Sequence, residues 1–241
     1  RRNALSTDML ARLSVAFTEA ADDSRVRVVV LAATGPVFCS GHDLKEMTAA
    51  RTTTDKGNEA YQQLFAACAS VMELIVRNPK PVIAEVAGTA TAAGCQLVAS
   101  CDLAMASNTV KFATPGVNLG LFCSTPMVAL SRNVSRKHAM EMLLSGDMVD
   151  ASRAEQIGLI NRAFNPDQLT SETMAMALKI ASKSTMTIAI GKRAFYEQAE
   201  MPLNEAYAYT SQVMTENMLT RDAEEGIGAF LGKRTPEWQD Q

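Results

Sequence analysis

Two short runs rich in β-branched residues, 26–32 and 81–87, flank a stretch at 59–77 whose apolar residues recur at helical spacing. A short run that is apolar at nearly every position suits a strand buried on both faces, the condition of strands in a parallel sheet. Joining two such strands in parallel requires a crossover, and the helical stretch between them supplies it. The alternation therefore predicts an α/β fold with a parallel sheet covered by helices. Lys80-Pro81 closes the helix and opens the second strand, because proline disfavours helical backbone in the residue before it.

Leu5, Met9, Leu10, Leu13, Phe17 and Ala20 surround or follow Ser6, a good N-cap, and predict a first helix ending at Asp22-Asp23. Residues 35–43 read as a loop and 88–94 as a small-residue segment. A helix running to Ser100, an apolar strand at 103–106, a short strand near 111–113 and a turn at Pro115-Gly116 follow. Beyond Ser135 the pattern is mainly helical, with helices expected at 137–144, 151–157, 171–183, 186–199, 204–218 and 223–231. The last three read as a helical appendage. Residues 186–218 are rich in Met, Ala and Tyr, which favours packing or subunit contact over chemistry.

Composition narrows the function. The chain has 241 residues, 47% of them apolar and 20% charged, which suits a globular domain with a large core. A formal net charge of -3 gives no overall positive field for a nucleic-acid backbone, and no local basic patch replaces it. The longest apolar stretches fall short of the roughly 18 residues that a bilayer span needs. The five cysteines form an odd set without paired spacing, so reduced thiols and an intracellular setting are expected. That setting is cytoplasmic for a bacterial protein and mitochondrial for a eukaryotic one, and not secreted. The sequence opens at Arg1 without a methionine and without a visible signal peptide, which leaves room for a preceding segment.

Two segments place glycine where a strand gives way. FCSGHDLK at 38–45 is a loop after a buried strand, where backbone N–H groups can face a ligand. AAGCQ at 92–96 marks a change from strand to helix, so its amides point outward at the favourable end of the helix dipole. If the two converge they make an anion hole. Taken singly, each also reads as a close-packed turn. Neither is a phosphate-binding P-loop, and no GxGxxG or GxSxG motif is present. His42 and His138 are far apart and no Cys or carboxylate cluster has ligand spacing, so no metal site is expected.

The two loops, in this order and spacing, resemble those of the crotonase (enoyl-CoA hydratase/isomerase) superfamily. The resemblance extends over the whole chain: NALS at 3–6, the loops at 38–45 and 88–95, MEMLLSGD at 140–147, AEQIGLI at 154–160 and EGIGAFLGKR at 225–234. It implies a crotonase-type spiral of ββα units over residues 1–184, and a C-terminal helical region at 185–241 that assembles homotrimers or dimers of trimers. It also implies acyl-CoA thioester binding in fatty acid metabolism, as a lyase or isomerase. Coenzyme A would arrive as part of the substrate, with no permanently bound cofactor.

The resemblance assigns roles by position. The amides of His42 and Ala93 would polarise the thioester carbonyl, a task that needs only main-chain N–H groups. The family's hydratases place catalytic glutamates where this chain has Gln96 and Gly116. A carboxamide does not titrate and glycine has no side chain, so weak or altered hydratase or isomerase chemistry is implied. The alternative is a non-catalytic acyl-CoA-binding or regulatory protein. Coenzyme A contacts fall at Ser40, His42 and Leu44, and at Phe230 and Lys233 of the same or a neighbouring subunit. Lys45 and Arg2 are phosphate candidates by charge alone, or solvated surface. Asp43 reads as a cap, Glu141 as structural, and Cys123 as a buried thiol or, less simply, a nucleophile. Asn118 and Ser124 are candidates to bind water near the missing second carboxylate.

Overall fold

The computed structural model describes residues 2–241. α1 (Thr7–Asp22) begins where the Ser6 hydroxyl accepts the Met9 N–H, the cap that the sequence predicts. Its buried Leu10 and Phe17 pack toward α3 (Asn58–Arg77), whose own buried stripe is Leu64, Cys68, Val71, Met72 and Ile75. Spacings of three and four place those five residues on one helix face.

Strands come in pairs: β1 (Val29–Ala32) with β2 (Val37–Cys39), β3 (Val82–Val86) with β4 (Thr89–Thr91), and β5 (Leu103–Ser107) with β6 (Lys111–Ala113). The first of each pair joins one sheet and the second joins another. Short end strands β7 (Val149–Asp150) and β8 (Arg162–Phe164) complete sheet orders β1-β3-β5-β8 and β2-β4-β6-β7. The first sheet is parallel throughout, and in the second only the β6–β7 pair is antiparallel. This is the spiral of ββα units that the resemblance implies.

Helix α2 (Leu44–Ala50) and α3 follow the first strand pair, and α4 (Ala93–Ser100) follows the second. All eight residues of α4 are buried, and it carries no charged side chain, as a helix enclosed on every side requires. Gly94 allows this enclosure. A Cβ there would stand 2.2 Å from the Cys39 carbonyl oxygen, so only glycine lets α4 seat against the end of β2.

After a 3-10 turn at Pro115–Leu119 come α5 (Pro126–Asn133), α6 (Arg136–Ser145) and α7 (Ala151–Gln156). α8 (Leu169–Ala181) covers the first sheet, burying Leu169 and Ala177 against Ile83 and Met105. Then α9 (Thr185–Gln198), α10 (Leu203–Met218) and α11 (Arg221–Leu231) close the chain. Lys192 of α9 reaches the core and donates to the carbonyls of Ile75 and Lys80 and, at 2.6 Å, to Asp102. Among the described residues no helix is long and apolar enough to cross a membrane.

The structure departs from the sequence reading in several elements. The expected strand at 26–32 starts only at Val29, because Asp23 to Val26 closes a turn with the Val26 N–H on the Asp23 carbonyl. The loop at 35–43 contains β2 and the segment at 88–94 contains β4. Each is three residues long, too short to show an alternation. α2 and α5 also lie outside the expected helices.

Candidate active site

Strands β2, β4 and β6 are parallel neighbours, with Cys39 beside Ala90 and Thr91 beside Ala113. Their C-terminal ends therefore share one edge of the sheet, and the segments 40–42, 92–96 and 114–116 all leave from it. The first two touch: a Cβ on Gly41 would lie 2.9 Å from the Ala92 Cβ and 3.4 Å from the Ala93 nitrogen.

The opening segment of the chain braces the first loop. Asn3 donates to the carbonyls of Thr34 and Val37, and the Leu5 N–H donates to the Gly41 carbonyl at 2.8 Å. Leu5 and His42 form a parallel bridge. In a parallel pair one residue bonds to the two neighbours of its partner, so the partner's own N–H turns away. Here that partner is His42. The second loop is set by Ala92, whose N–H donates to Ala113 O and whose φ of 52° and ψ of -121° reverse the chain just before α4. The first amides of a helix have no intrahelical acceptor. Among the described residues neither the His42 nor the Ala93 N–H donates to a protein acceptor.

The His42 ring stands with Nδ1 3.4 Å from the Leu5 carbonyl and meets Phe65 of α3 edge to face at 5.5 Å between centroids. Burial pushes its pKa down, only partly offset by the hydrogen bond to Leu5, so the imidazole is neutral at pH 7. Its Nε2 is buried without a protein partner, as are Gln96 Oε1 and Thr114 Oγ1. Asp43 accepts the N–H groups of Lys45 and Glu46, the expected cap of α2. Glu46 in turn accepts both the backbone N–H and the hydroxyl of Thr7, tying α2 to the start of α1.

Gly116 is buried and faces Cys123. Its N–H donates to Cys123 Sγ at 3.3 Å, and a Cβ there would stand 2.9 Å from both that sulfur and the Leu121 carbonyl oxygen. Cys123 is buried, and burial raises its thiol pKa, so it is a neutral S–H at pH 7 rather than a ready nucleophile. All five cysteines are free and buried. Asn118 and Ser124 are both exposed, with the Ser124 hydroxyl donating to Phe122 O. The residue that stands against Gly116 is Cys123, which the sequence marks as a buried thiol or a nucleophile but not as a neighbour of Gly116.

Ser40 is half-buried in the first loop, whereas Leu44 and Lys45 are exposed on α2, and Arg2 is exposed. Phe230 at the end of α11 is 81% exposed and Lys233 beyond it is exposed as well. The tail after α11 is fastened elsewhere, Asp240 to Arg27 and Thr185 and the Trp238 indole to Ser182 O. Within one chain, no hydrogen bond or ion pair among the described residues joins α11 to the two loops. Glu141 lies in a surface group with His138 and Arg153.

A ββα spiral with paired strand-end loops that hold two free amides defines a class, and sequence comparison gives the same class. The family model described as enoyl-CoA hydratase/isomerase matches residues 1–241, and the chain belongs to that family. It is 49% identical over 238 residues to the mouse (Mus musculus) protein called enoyl-CoA hydratase domain-containing protein 3, mitochondrial, covering 99% of this chain and 78% of that one. It is 34% identical to the 2,3-dehydroadipyl-CoA hydratase of Escherichia coli, covering 99% of this chain and 91% of that one. A crystal structure of an enoyl-CoA hydratase from Mycobacterium smegmatis superimposes with a TM-score of 0.93 at 53% identity, covering 98% of this chain and 90% of that one. That of human enoyl-CoA hydratase domain-containing protein 3 gives 0.93 at 49% identity, covering 99% and 92%.

Proposed function

We propose that the chain binds acyl-CoA thioesters with the carbonyl oxygen between the His42 and Ala93 amides, and stabilises an enolate there. The supporting observation is that these two N–H groups, from loops in contact, are both without a protein acceptor. Donors preorganised in this way gain strength as charge builds on the oxygen, about 3 kcal/mol each in comparable sites. Coenzyme A is assigned to Ser40, His42, Leu44 and Lys45, with Phe230 and Lys233 supplied by a neighbouring copy. Apolar surface left open on α9 to α11, including Phe195, Leu203, Tyr207 and Leu219, supports assembly into a homotrimer or a dimer of trimers.

Hydratase or isomerase turnover is weak in this reading. Gln96 can orient a water or a substrate but cannot exchange a proton, and the direction a side chain at 116 would take is filled by Cys123. The same filling favours the second reading, a non-catalytic acyl-CoA-binding protein. Calorimetry with butyryl-CoA tests what both readings share, and absence of binding at millimolar ligand would refute it. Steady-state hydration of crotonoyl-CoA separates them: slow turnover supports the first, none supports the second, and rates typical of carboxylate-bearing hydratases contradict both.

A further inference from the structure

The His42 amide is one end of the Gly41–His42 peptide, and the Gly41 carbonyl is the other. In a trans peptide the two point in opposite directions, so whatever holds the carbonyl also aims the N–H. The holder is Leu5, a residue only 1% exposed, whose N–H reaches the Gly41 carbonyl at 2.8 Å. Accepting that bond also polarises the peptide, which makes its N–H a better donor.

Gly41 makes this hold necessary. Its φ is 89°, and a Cβ there would lie 2.9 Å from the Ala92 Cβ, so the close contact of the two loops calls for glycine. Glycine also lets the peptide that follows it rotate at little cost. A half-turn of that peptide would send the His42 N–H toward Leu5 and point the Gly41 carbonyl the opposite way, putting an acceptor where the donor stood. The Leu5 N–H opposes the turn only while the strap that carries it stays in register with the loop.

The His42 side chain fixes that register from the other side of Leu5. Its Nδ1 stands 3.4 Å from the Leu5 carbonyl, which can only accept, so the ring proton sits on Nδ1. Both polar groups of the Leu5 backbone are thus engaged by residues 41 and 42, one by the peptide and one by the ring. Phe65 meets the ring edge to face at 5.5 Å between centroids and limits its swing. Nε2, in contrast, is buried without a protein partner, a cost that a phenylalanine filling the same space would avoid. What phenylalanine lacks is the Nδ1 donor.

We infer that the His42 imidazole is a positioning residue for its own main-chain amide. Through Leu5 it keeps that N–H turned into the site, and so sets how strongly a thioester carbonyl is polarised there without the ring touching the substrate. The inference rests on the thioester reading above and deepens it, because that reading asks nothing of the side chain.

Difference infrared spectroscopy of butyryl-CoA carrying carbon-13 at the carbonyl reads the polarisation directly, since a stronger hydrogen bond lowers the carbonyl stretch. The full chain is expected to lower it on binding. His42→Phe keeps the main-chain amide and a ring against Phe65, and should lose much of the downshift while binding about threefold to tenfold more weakly, the range of one net hydrogen bond. His42→Asn, which can place a side-chain N–H where Nδ1 stands, should restore the downshift, and His42→Gln should not. A full downshift in His42→Phe overturns the inference and leaves the thioester reading intact. Equal loss in His42→Phe and His42→Asn overturns it too, because packing alone would then explain the effect. Should His42→Phe fail to fold, His42→Leu carries the same comparison. Binding without any downshift in the unaltered chain, or no binding, removes the thioester reading and the inference together.

Discussion

Cys123 Sγ accepts the Gly116 N–H at 3.3 Å and stands 2.9 Å from the point a Cβ at 116 would occupy. The Leu121 carbonyl oxygen, also at 2.9 Å, closes the same space from the backbone side, and backbone cannot swing aside as a side chain can. Restoring a glutamate at 116 therefore meets a packing barrier as well as a chemical one. Gln96→Glu/Gly116→Glu is expected to be less stable than Gln96→Glu alone by about 1–3 kcal/mol, the usual cost of overfilling a packed site. Urea midpoints measure it, and coincident midpoints would show that the 116–123 loop yields freely. Fast hydration by the double variant is expected only if that loop repacks.

Ala92 holds a conformation that glycine adopts without strain. At φ 52° and ψ -121° it matches the first central position of a type II′ turn. For a residue with a Cβ the strain is of order 1–3 kcal/mol. Glycine removes the strain and adds roughly 0.5–1 kcal/mol of unfolded-state entropy. Ala92→Gly is expected to stabilise the chain by about 1 kcal/mol with thioester affinity unchanged. Thermal melting reads the first and calorimetry the second, and a lowered melting temperature would mean that the Ala92 methyl packs better than its backbone strains.

The long periodic elements were legible in the sequence: α1 from its Ser6 cap, α3 from its stripe, and β3, β5 and β6 close to their observed ends. The site was half legible. Glycine placement pointed to the two loops, and family resemblance supplied the roles proposed for His42 and Ala93. What stayed hidden depends on contacts distant along the chain. Leu5 lies 37 residues before His42, and no local pattern announces that its carbonyl fixes the imidazole. Cys123 reaches Gly116 across a loop whose path follows from a 3-10 turn and a left-handed Gly120, not from any periodicity. Strands β2 and β4 are three residues each and are strands only because neighbours pair with them.

Lys192 and Asp102 form the buried ion pair that docks α9 on the core, their side chains 8% and 15% exposed. Every hydrogen-bonding direction of the lysine is used, and Asp102 also accepts the Val82 N–H and the Tyr196 hydroxyl. Lys192→Met leaves that carboxylate without its cation, a change that costs about 3–5 kcal/mol in buried pairs. Chemical denaturation measures the loss. A loss below 1 kcal/mol would mean that water reaches Asp102 and that α9 is held mainly by apolar contact.

The tail beyond α11 offers a pH-dependent readout. Arg234 donates to both carboxylate oxygens of Glu225, and the Glu237 N–H donates to one of them. The guanidinium, with that backbone donor, holds the Glu225 pKa at about 2, against an ordinary 4.5. A released tail restores the ordinary value. The clamp is therefore fully formed above pH 4.5 and weakens as pH falls from there toward 2, where the carboxylate takes a proton in either state. Trp238, the single tryptophan, reports on it, with its indole N–H on Ser182 O and its ring beside Gly226. Tryptophan emission is expected to shift to the red across that window while far-ultraviolet circular dichroism still shows the helices. In Glu225→Gln the acid-driven shift should flatten, because the titrating group is gone. An unaltered acid transition in that variant would assign it to another carboxylate.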